Sequence, residues 1–239
     1  MKKLVVITGA NSGVGLELSK TFASDEHLLL LLSRNIETIE SLDLQNSLCR
    51  KVDVTDFDSF QAAVDEAVTK WGPVDCLINN AGVLFMNDFV DQTPDQWKQM
   101  FEVNVMGTTN GIRTVIDSMK ERKCGTIINI GSISGHKMIE GQTVYCGSKH
   151  ALKGITEGLR AELADHNVRV SLISPGAIET NITQRSQSSK YAKGQNAWAK
   201  SIGGLLDPTE VSKAALYIYE QPQRVCIREI TLAATRQVI

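Results

Sequence analysis

Seven short apolar runs, separated by longer segments of helical pattern, narrow the fold of this chain more than any other feature. The runs are KLVVIT (3–8), LLLLL (28–32), SLCRK (47–51), VDCLIN (74–79), GTIINI (125–130), VRVSLI (168–173) and VCIREI (225–230). Runs of that length, nearly continuous in apolar character, suit parallel strands buried on both faces, and the intervening segments supply the crossovers. The pattern predicts an α/β fold in one domain over residues 1–239: a doubly wound, seven-stranded parallel sheet with helices on both faces. A chain of 239 residues can bury one core without a metal or disulfides as staples.

Two boundaries are written into the helical segments. TPDQW places Thr93 as N-cap, Pro94 at the first helical position and Gln96 at the third, a capping box, and DPTE repeats it with Asp207, Pro208 and Glu210. The polar stretch 181–206 lies between a strand and a capped helix and is too long for an ordinary connector. It is expected to form a lid, or an insertion that covers a substrate.

Composition excludes several classes of function. Lys and Arg total 25 against 27 Asp and Glu, for a formal charge of −2, which gives no general attraction for nucleic acid or anionic lipid. The cysteines at 49, 76, 124, 146 and 226 are odd in number and contain no Cys-x-x-Cys pair, so neither a disulfide framework nor a cysteine-rich metal site is expected. His136 has no second histidine at ligand spacing, and no metal is expected. No apolar stretch approaches the roughly 20 residues that cross a bilayer. The expectation is a cytoplasmic protein with no membrane or nucleic-acid partner.

After the first run comes TGANSGVG, with Gly9, Gly13 and Gly15 spaced G-x-x-x-G-x-G. Glycines at a strand-to-helix turn permit the torsions and the close approach that let helix N–H groups face a pyrophosphate. The turn lacks the Gly-Lys-Ser/Thr ending of a Walker loop and reads as a dinucleotide site. The second run ends in Ser33 and Arg34, where an acidic residue would meet the ribose 2′-hydroxyl of NAD. An arginine there suits the extra phosphate of NADP, although a solvated surface arginine would look the same in sequence.

YCGSK places Tyr145 and Lys149 four residues apart, on one face of a helix. With a free pKa of about 10, a tyrosine is a poor base near neutrality, and a neighbouring cation lowers the cost of the phenolate. The pair reads as an acid and base with its electrostatic tuner, and Lys149 also as a donor to a ribose. A hydroxyl from GSIS, either Ser132 or Ser134, can hydrogen-bond a substrate carbonyl or alkoxide.

With these residues in hand, the chain resembles the short-chain dehydrogenase/reductase family. TGANSGVG, NNAG (79–82), NVMG (104–107), GSIS (131–134), YCGSK (145–149) and PGAIET (175–180) follow the family's blocks in order and spacing. The resemblance implies a Rossmann fold and a catalytic set of Asn104, Ser132, Tyr145 and Lys149, with Ser132 selected over Ser134 because it lies thirteen residues before the tyrosine. It implies that Asn104 holds a helix carbonyl and a water linking the lysine to solvent.

For the cofactor, the resemblance implies contacts from Gly9, Asn11, Ser12, Gly13, Val14 and Gly15, from Ser33 and Arg34, from Asp53 and Val54, and from Asn80, Ala81 and Gly82. Tyr145, Lys149, Pro175, Gly176, Ile178 (through its backbone) and Thr180 (through its hydroxyl) complete that set. Two departures stand out. Asn11 and Ser12 occupy the turn where many NADP-preferring relatives carry a basic residue, which leaves the phosphate to Arg34. The segment between Arg34 and Asp53 has room for a helix of only a turn or two.

The reading that results is an NADP(H)-dependent oxidoreductase, with NAD(H) as a second cofactor, acting on a small carbonyl or alcohol. Arg185, Lys190, Lys193 and Lys200 in the lid suggest a carboxylate-bearing substrate such as a 3-hydroxy acid. The same charges also suit a solvated loop. Met138 and Ile139 are expected at the substrate cavity or its rim, and Tyr191 and Trp198 over an apolar part of the substrate. The competing reading is an NADP-sensing regulatory protein without turnover. The resemblance also implies a bacterial source and a homodimer or homotetramer.

Overall fold

The computed structural model describes residues 2–186 and 190–238. Its strands are β1 (Leu4–Thr8), β2 (Leu28–Ser33), β3 (Ser47–Lys51), β4 (Val74–Asn79), β5 (Gly125–Ile130), β6 (Val168–Pro175) and β7 (Glu229–Leu232). All pair in parallel, in the order β3-β2-β1-β4-β5-β6-β7. The winding therefore reverses between β1 and β4, and the crevice beyond their carboxyl ends is the place where open α/β sheets bind ligands.

Strand periodicity divides the core in two. Leu4, Val6, Leu30 and Leu32 face one side, where they pack with Phe60 and Val64 of α3 (Phe57–Trp71), Met100 of α4 (Pro94–Phe101), Ile112 and Val115 of α5 (Gly107–Arg122) and Tyr145 of α6 (Thr143–Glu162). Val5, Ile7, Leu29 and Leu31 face the other. Their partners are Leu18 and Phe22 of α1 (Gly13–Ser24), Ile39 of the short α2 (Glu37–Glu40), and Val211, Ala215 and Ile218 of α8 (Pro208–Glu220). Burial on both sides is why the strand sequences read as apolar runs rather than as alternating patterns.

Both expected capping boxes are present. Thr93 accepts from the Gln96 amide while Gln96 reaches back to the Thr93 amide, and Asp207 and Glu210 do the same at α8. The four-residue α2 matches the short segment foreseen between Arg34 and Asp53. The last strand is a correction: VCIREI was expected to pair over 225–230, yet regular pairing covers Glu229–Leu232. Val225 is still closing a turn onto the Pro222 carbonyl at 2.7 Å. Residues 227 and 228 follow β6 through single contacts, from Ser171 Oγ to the Ile227 carbonyl at 2.7 Å and from the Leu172 amide to the Arg228 carbonyl at 3.0 Å.

The segment 181–206 contains a 3-10 helix (Asn181–Ser186) and α7 (Lys190–Ser201). Its base is closed by a parallel bridge between Ile178 and Leu206.

Candidate active site

The glycine turn leaves β1 and opens α1 with backbone torsions that only glycine adopts readily: φ is +65° at Gly9 and +51° at Gly13. Space is equally restrictive. A Cβ on Gly15 would sit 2.0 Å from the Gly9 carbonyl oxygen, and one on Gly9 2.9 Å from the Ala81 Cα. Thr8 and Asn80 tie the two strand ends together. The Thr8 hydroxyl accepts from the amides of Asn80 and Ala81, both at 3.0 Å, and Asn80 Nδ2 donates to the Thr8 carbonyl at 2.9 Å. Ser12, the N-cap of α1, makes no side-chain cap, so the first-turn amides are not claimed by the protein's own side chain. Asn11 is half-buried, Ser12 exposed and Val14 buried in this turn.

The remaining residues expected at a cofactor border the same crevice or its edge. Ser33 is buried at the end of β2, and Arg34 is exposed beside it. Asp53 spends one carboxylate oxygen, Oδ1, on the amide and hydroxyl of Thr55, at 3.0 and 2.8 Å, which is a local turn. Val54 is buried, and its carbonyl accepts from Asn110 Nδ2 at 2.9 Å. Pro175 ends β6. Gly176 lies under Gln237, whose Oε1 accepts from the Ala177 amide at 3.0 Å.

The bridge at Ile178 uses the Ala177 carbonyl and the Glu179 amide, both at 2.9 Å from their Leu206 partners. Parallel pairing of that kind turns the N–H and C=O of Ile178 itself to the opposite side. Thr180 lies against the turn, its Cγ2 2.9 Å from where a Gly13 Cβ would be.

Tyr145 and Lys149 lie on the buried face of α6, with 6% and 5% of their surfaces exposed, which makes burial the dominant influence on both. It pushes the Tyr145 phenol up to about 12, opposed by a hydrogen bond with Ser132. It pulls the Lys149 ammonium down to about 8. The expectation that Lys149 lowers the phenol is not met in this geometry. The ammonium lies 5.7 Å from the ring centre and donates to the Ile130 carbonyl at 2.9 Å.

Motif position alone leaves Ser132 and Ser134 as alternatives, which family spacing resolves, and their bonding separates them as well. Ser132, partly exposed, bonds Tyr145 and accepts from the Ser134 amide at 3.1 Å. The Ser134 hydroxyl is buried and donates to Gln142 Oε1 at 3.0 Å.

Asn104 stands in a π-helical turn, Glu102–Met106, inserted between α4 and α5. Its side chain clamps Val83, accepting from the amide at 2.8 Å and donating to the carbonyl at 3.0 Å, and also donates to Ser148 Oγ at 3.0 Å. Ser148 in turn donates to the Tyr145 carbonyl at 2.7 Å. Asn104 thus fixes the segment following Gly82 against the helix of Tyr145, and the carbonyl its side chain holds is that of Val83 rather than the expected helix carbonyl. Ser148 is a link that sequence reasoning passed over, although it adjoins Lys149.

Segment 181–206 comes to the rim through Tyr191, whose one hydroxyl proton is shared between Asp88 Oδ1 at 2.6 Å and Glu140 Oε1 at 3.2 Å. These carboxylates push the phenol up to about 12. Gly141 receives the Tyr191 ring, where any Cβ would meet it at 2.6 Å. Asp88, Glu140 and Gln237 had no local sequence signal. Met138 is 63% exposed and Trp198 45% exposed, so neither is packed into the body. Of the cations in 181–206, the side chains of Arg185, Lys190 and Lys193 lie outside the described residues, and Lys200 is exposed. Among the described residues there is no cluster of His, Cys, Asp and Glu that could hold a metal, and no helix long and apolar enough to cross a membrane.

Residues 3–191 match the family of the short chain dehydrogenases. An uncharacterized oxidoreductase of Staphylococcus saprophyticus is 32% identical over 241 residues, covering 98% of this chain and 97% of that one. Another, from Staphylococcus aureus, is 32% identical over 234 residues, with 96% of each covered. Among solved structures, the closed form of a serine dehydrogenase complexed with NADP+ superposes with a TM-score of 0.92 at 26% identity, covering 99% of this chain and 96% of that one. A 3-ketoacyl-(acyl-carrier-protein) reductase from Brucella melitensis, complexed with NADH, gives 0.88 at 25% identity, covering 99% and 98%. The chain belongs to the short-chain dehydrogenase/reductase family and is an oxidoreductase acting on a CH–OH or carbonyl group.

Proposed function

We propose that the protein transfers hydride between NADP(H) and a small alcohol or carbonyl compound, with Tyr145 as the proton donor and acceptor. The observation that carries this reading is the pairing of Tyr145 with Ser132, one helical turn from Lys149, beside Asn80–Gly82 and the glycine turn. The protein's residues fit a dinucleotide: the turn has no room for side chains, and the amides opening α1 are uncapped. Asn11, Ser12, Val14 and the three glycines would border the pyrophosphate. Asp53 and Val54 would lie on the adenine side, and Pro175, Gly176, Ile178 and Thr180 on the nicotinamide side. Exposed Arg34 would take the 2′-phosphate, which favours NADP(H) over NAD(H).

The bound nicotinamide supplies or accepts the hydride. In reduction, Ser132 hydrogen-bonds the substrate oxygen and Tyr145 gives it a proton. Burial keeps the phenol protonated, the form that reduction requires. In oxidation Tyr145 must instead accept the proton, and the positive charge of the oxidised cofactor would lower the cost of the phenolate. Lys149 and Asn104 sustain the proton supply, and 181–206 acts as the lid.

Small hydroxy acids, among them 3-hydroxy acids, are the substrate class we favour. The serine dehydrogenase and the ketoacyl reductase, named for compounds with a hydroxyl or carbonyl near an acid or acyl group, support that choice. The test is a panel of aldehydes, ketones, hydroxy acids and serine with each cofactor, followed by nicotinamide absorbance. Turnover of one panel member, faster with NADP(H), is expected. NADP binding without turnover of any member would replace this reading with a nucleotide-sensing protein.

A further inference from the structure

We infer that His136 is a positioning residue, which holds the turn bearing Ser132 in register with Tyr145. The inference rests on the reading of Ser132 and Tyr145 given above and adds the part that aligns them. His136 ends the tight turn that begins at Ser132: the Gly135 amide donates to the Ser132 carbonyl at 2.8 Å, and the His136 amide donates to that of Ile133 at 2.9 Å. Both sides of its ring are used. Nε2 lies 2.6 Å from Glu229 Oε1 on β7 and 3.1 Å from Ser174 Oγ on β6, while Nδ1 lies 3.1 Å from Lys153 Nζ on α6.

Lysine has only donors, so Nδ1 accepts and the neutral ring carries its proton on Nε2, directed at the carboxylate. The Ser174 hydroxyl donates to the same Glu229 oxygen at 3.0 Å. Donors and acceptors match throughout the set, from Lys153 to His136 to Glu229.

The positions of these partners give the set its meaning. Lys153 is one turn beyond Lys149 on α6, and Ser174 immediately precedes Pro175, where the nicotinamide is proposed to pass. Glu229 opens β7. Gly135 meanwhile packs on the backbone of Lys149, where a Cβ would be 2.8 Å from its carbonyl oxygen. The turn therefore touches α6 through Gly135 and through His136, while Ser134 holds the helix N-cap Gln142, and together these contacts set its tilt on the helix and with it the reach of Ser132 to Tyr145. Losing one allows a rotation, and displacement of a reacting group by about 1 Å can cost up to about 100-fold in rate.

The test uses the full chain, NADPH and whichever panel carbonyl it reduces fastest. His136→Ala is expected to lower kcat about tenfold with KM and cofactor Kd within about twofold. His136→Gln, which keeps a donor and an acceptor, is expected to recover most of the loss. Lys153→Met should lose about threefold, and the double variant no more than His136→Ala, because both act through one imidazole. A crystal structure of the His136→Ala variant is expected to show Ser132 out of hydrogen-bond reach of Tyr145 in an otherwise unchanged fold.

Ser132→Ala and Tyr145→Phe separate the two ways of failing. If these lose activity while His136→Ala and Lys153→Met keep wild-type kcat, the positioning inference is overturned and the functional reading stands. The positioning inference also falls, alone, if the His136 loss tracks melting temperature and cofactor affinity and Gln does not restore it. Wild-type rates from the Ser132 and Tyr145 variants, or no turnover of any panel member by the wild type, overturn both.

Discussion

The crevice between β1 and β4 and the segment 181–206, which we propose as its lid, are built in opposite ways. In the crevice, backbone approaches backbone at distances that exclude side chains, and Thr8, Asn80 and Asn104 bond strand ends and loops to one another. The lid is stitched at its base by Ile178 and Leu206 and touches the rim through the hydroxyl bonds of Tyr191. At the glycines of the crevice an added side chain would collide with backbone, so enlargements there cost folding and cofactor together. Substitutions in the proposed lid are expected to cost the fold little, which is how one scaffold could serve different substrates.

The contrast is open to attack in four places, taken from the largest expected effect down. Gly15→Val puts side-chain atoms where even a Cβ would lie 2.0 Å from a carbonyl oxygen. Destabilisation of about 3 kcal/mol and loss of NADPH binding are expected from thermal melts and fluorescence titration. Wild-type affinity in this variant would show that the turn is not the cradle.

Lys149→Met should separate stability from activity. Burial lowers the ammonium from its ordinary value of 10.5 to about 8. Below about 8 both native and unfolded chains hold the proton, and the cost of burying the cation is fully present. Between about 8 and 10.5 the unfolded chain holds a proton that the native chain has lost, so wild-type stability rises with pH across that window. That shift corresponds to about 3 kcal/mol, and loss of the bond to the Ile130 carbonyl takes back about 1 kcal/mol. The methionine variant should therefore be about 2 kcal/mol more stable at pH 7, with the gap closing by pH 10.5, while turnover falls. Denaturant unfolding at several pH values checks this, and a less stable variant at pH 7 would contradict it.

Arg34→Ala tests the edge of the crevice, where an exposed side chain does the binding. NADP affinity should fall about tenfold and NAD affinity stay unchanged; an equal loss for both would remove Arg34 from phosphate recognition. Tyr191→Phe, on the lid, should raise KM about threefold and leave the melting temperature within about a degree. A large drop in melting temperature would mean that the lid is part of the core.

The first six strands were legible to within two residues at each end, because strands buried on both faces are apolar runs bounded by turns. β7 was not, because 225–230 has strand composition while its first residues are still closing a turn at Pro222. Tyr145, Lys149 and Ser132 could be read from spacing, since one helix and one turn place them. The direction of the Tyr145 shift could not: it depends on burial outweighing the hydrogen bond with Ser132, and burial is a property of the packed molecule. Neither could Asp88, Glu140, Gln237 and the partners of His136, which meet only through contacts across 17 or more residues of chain.

In the proposed reaction the phenol of Tyr145 exchanges a proton with the substrate oxygen as hydride moves at carbon. The most direct test compares wild type with Tyr145→Phe in a single turnover with NADPH on the best panel substrate, alongside NADPH affinity. A rate about 1,000-fold lower with cofactor affinity retained is expected. An undiminished rate of NADPH oxidation in the variant would contradict it.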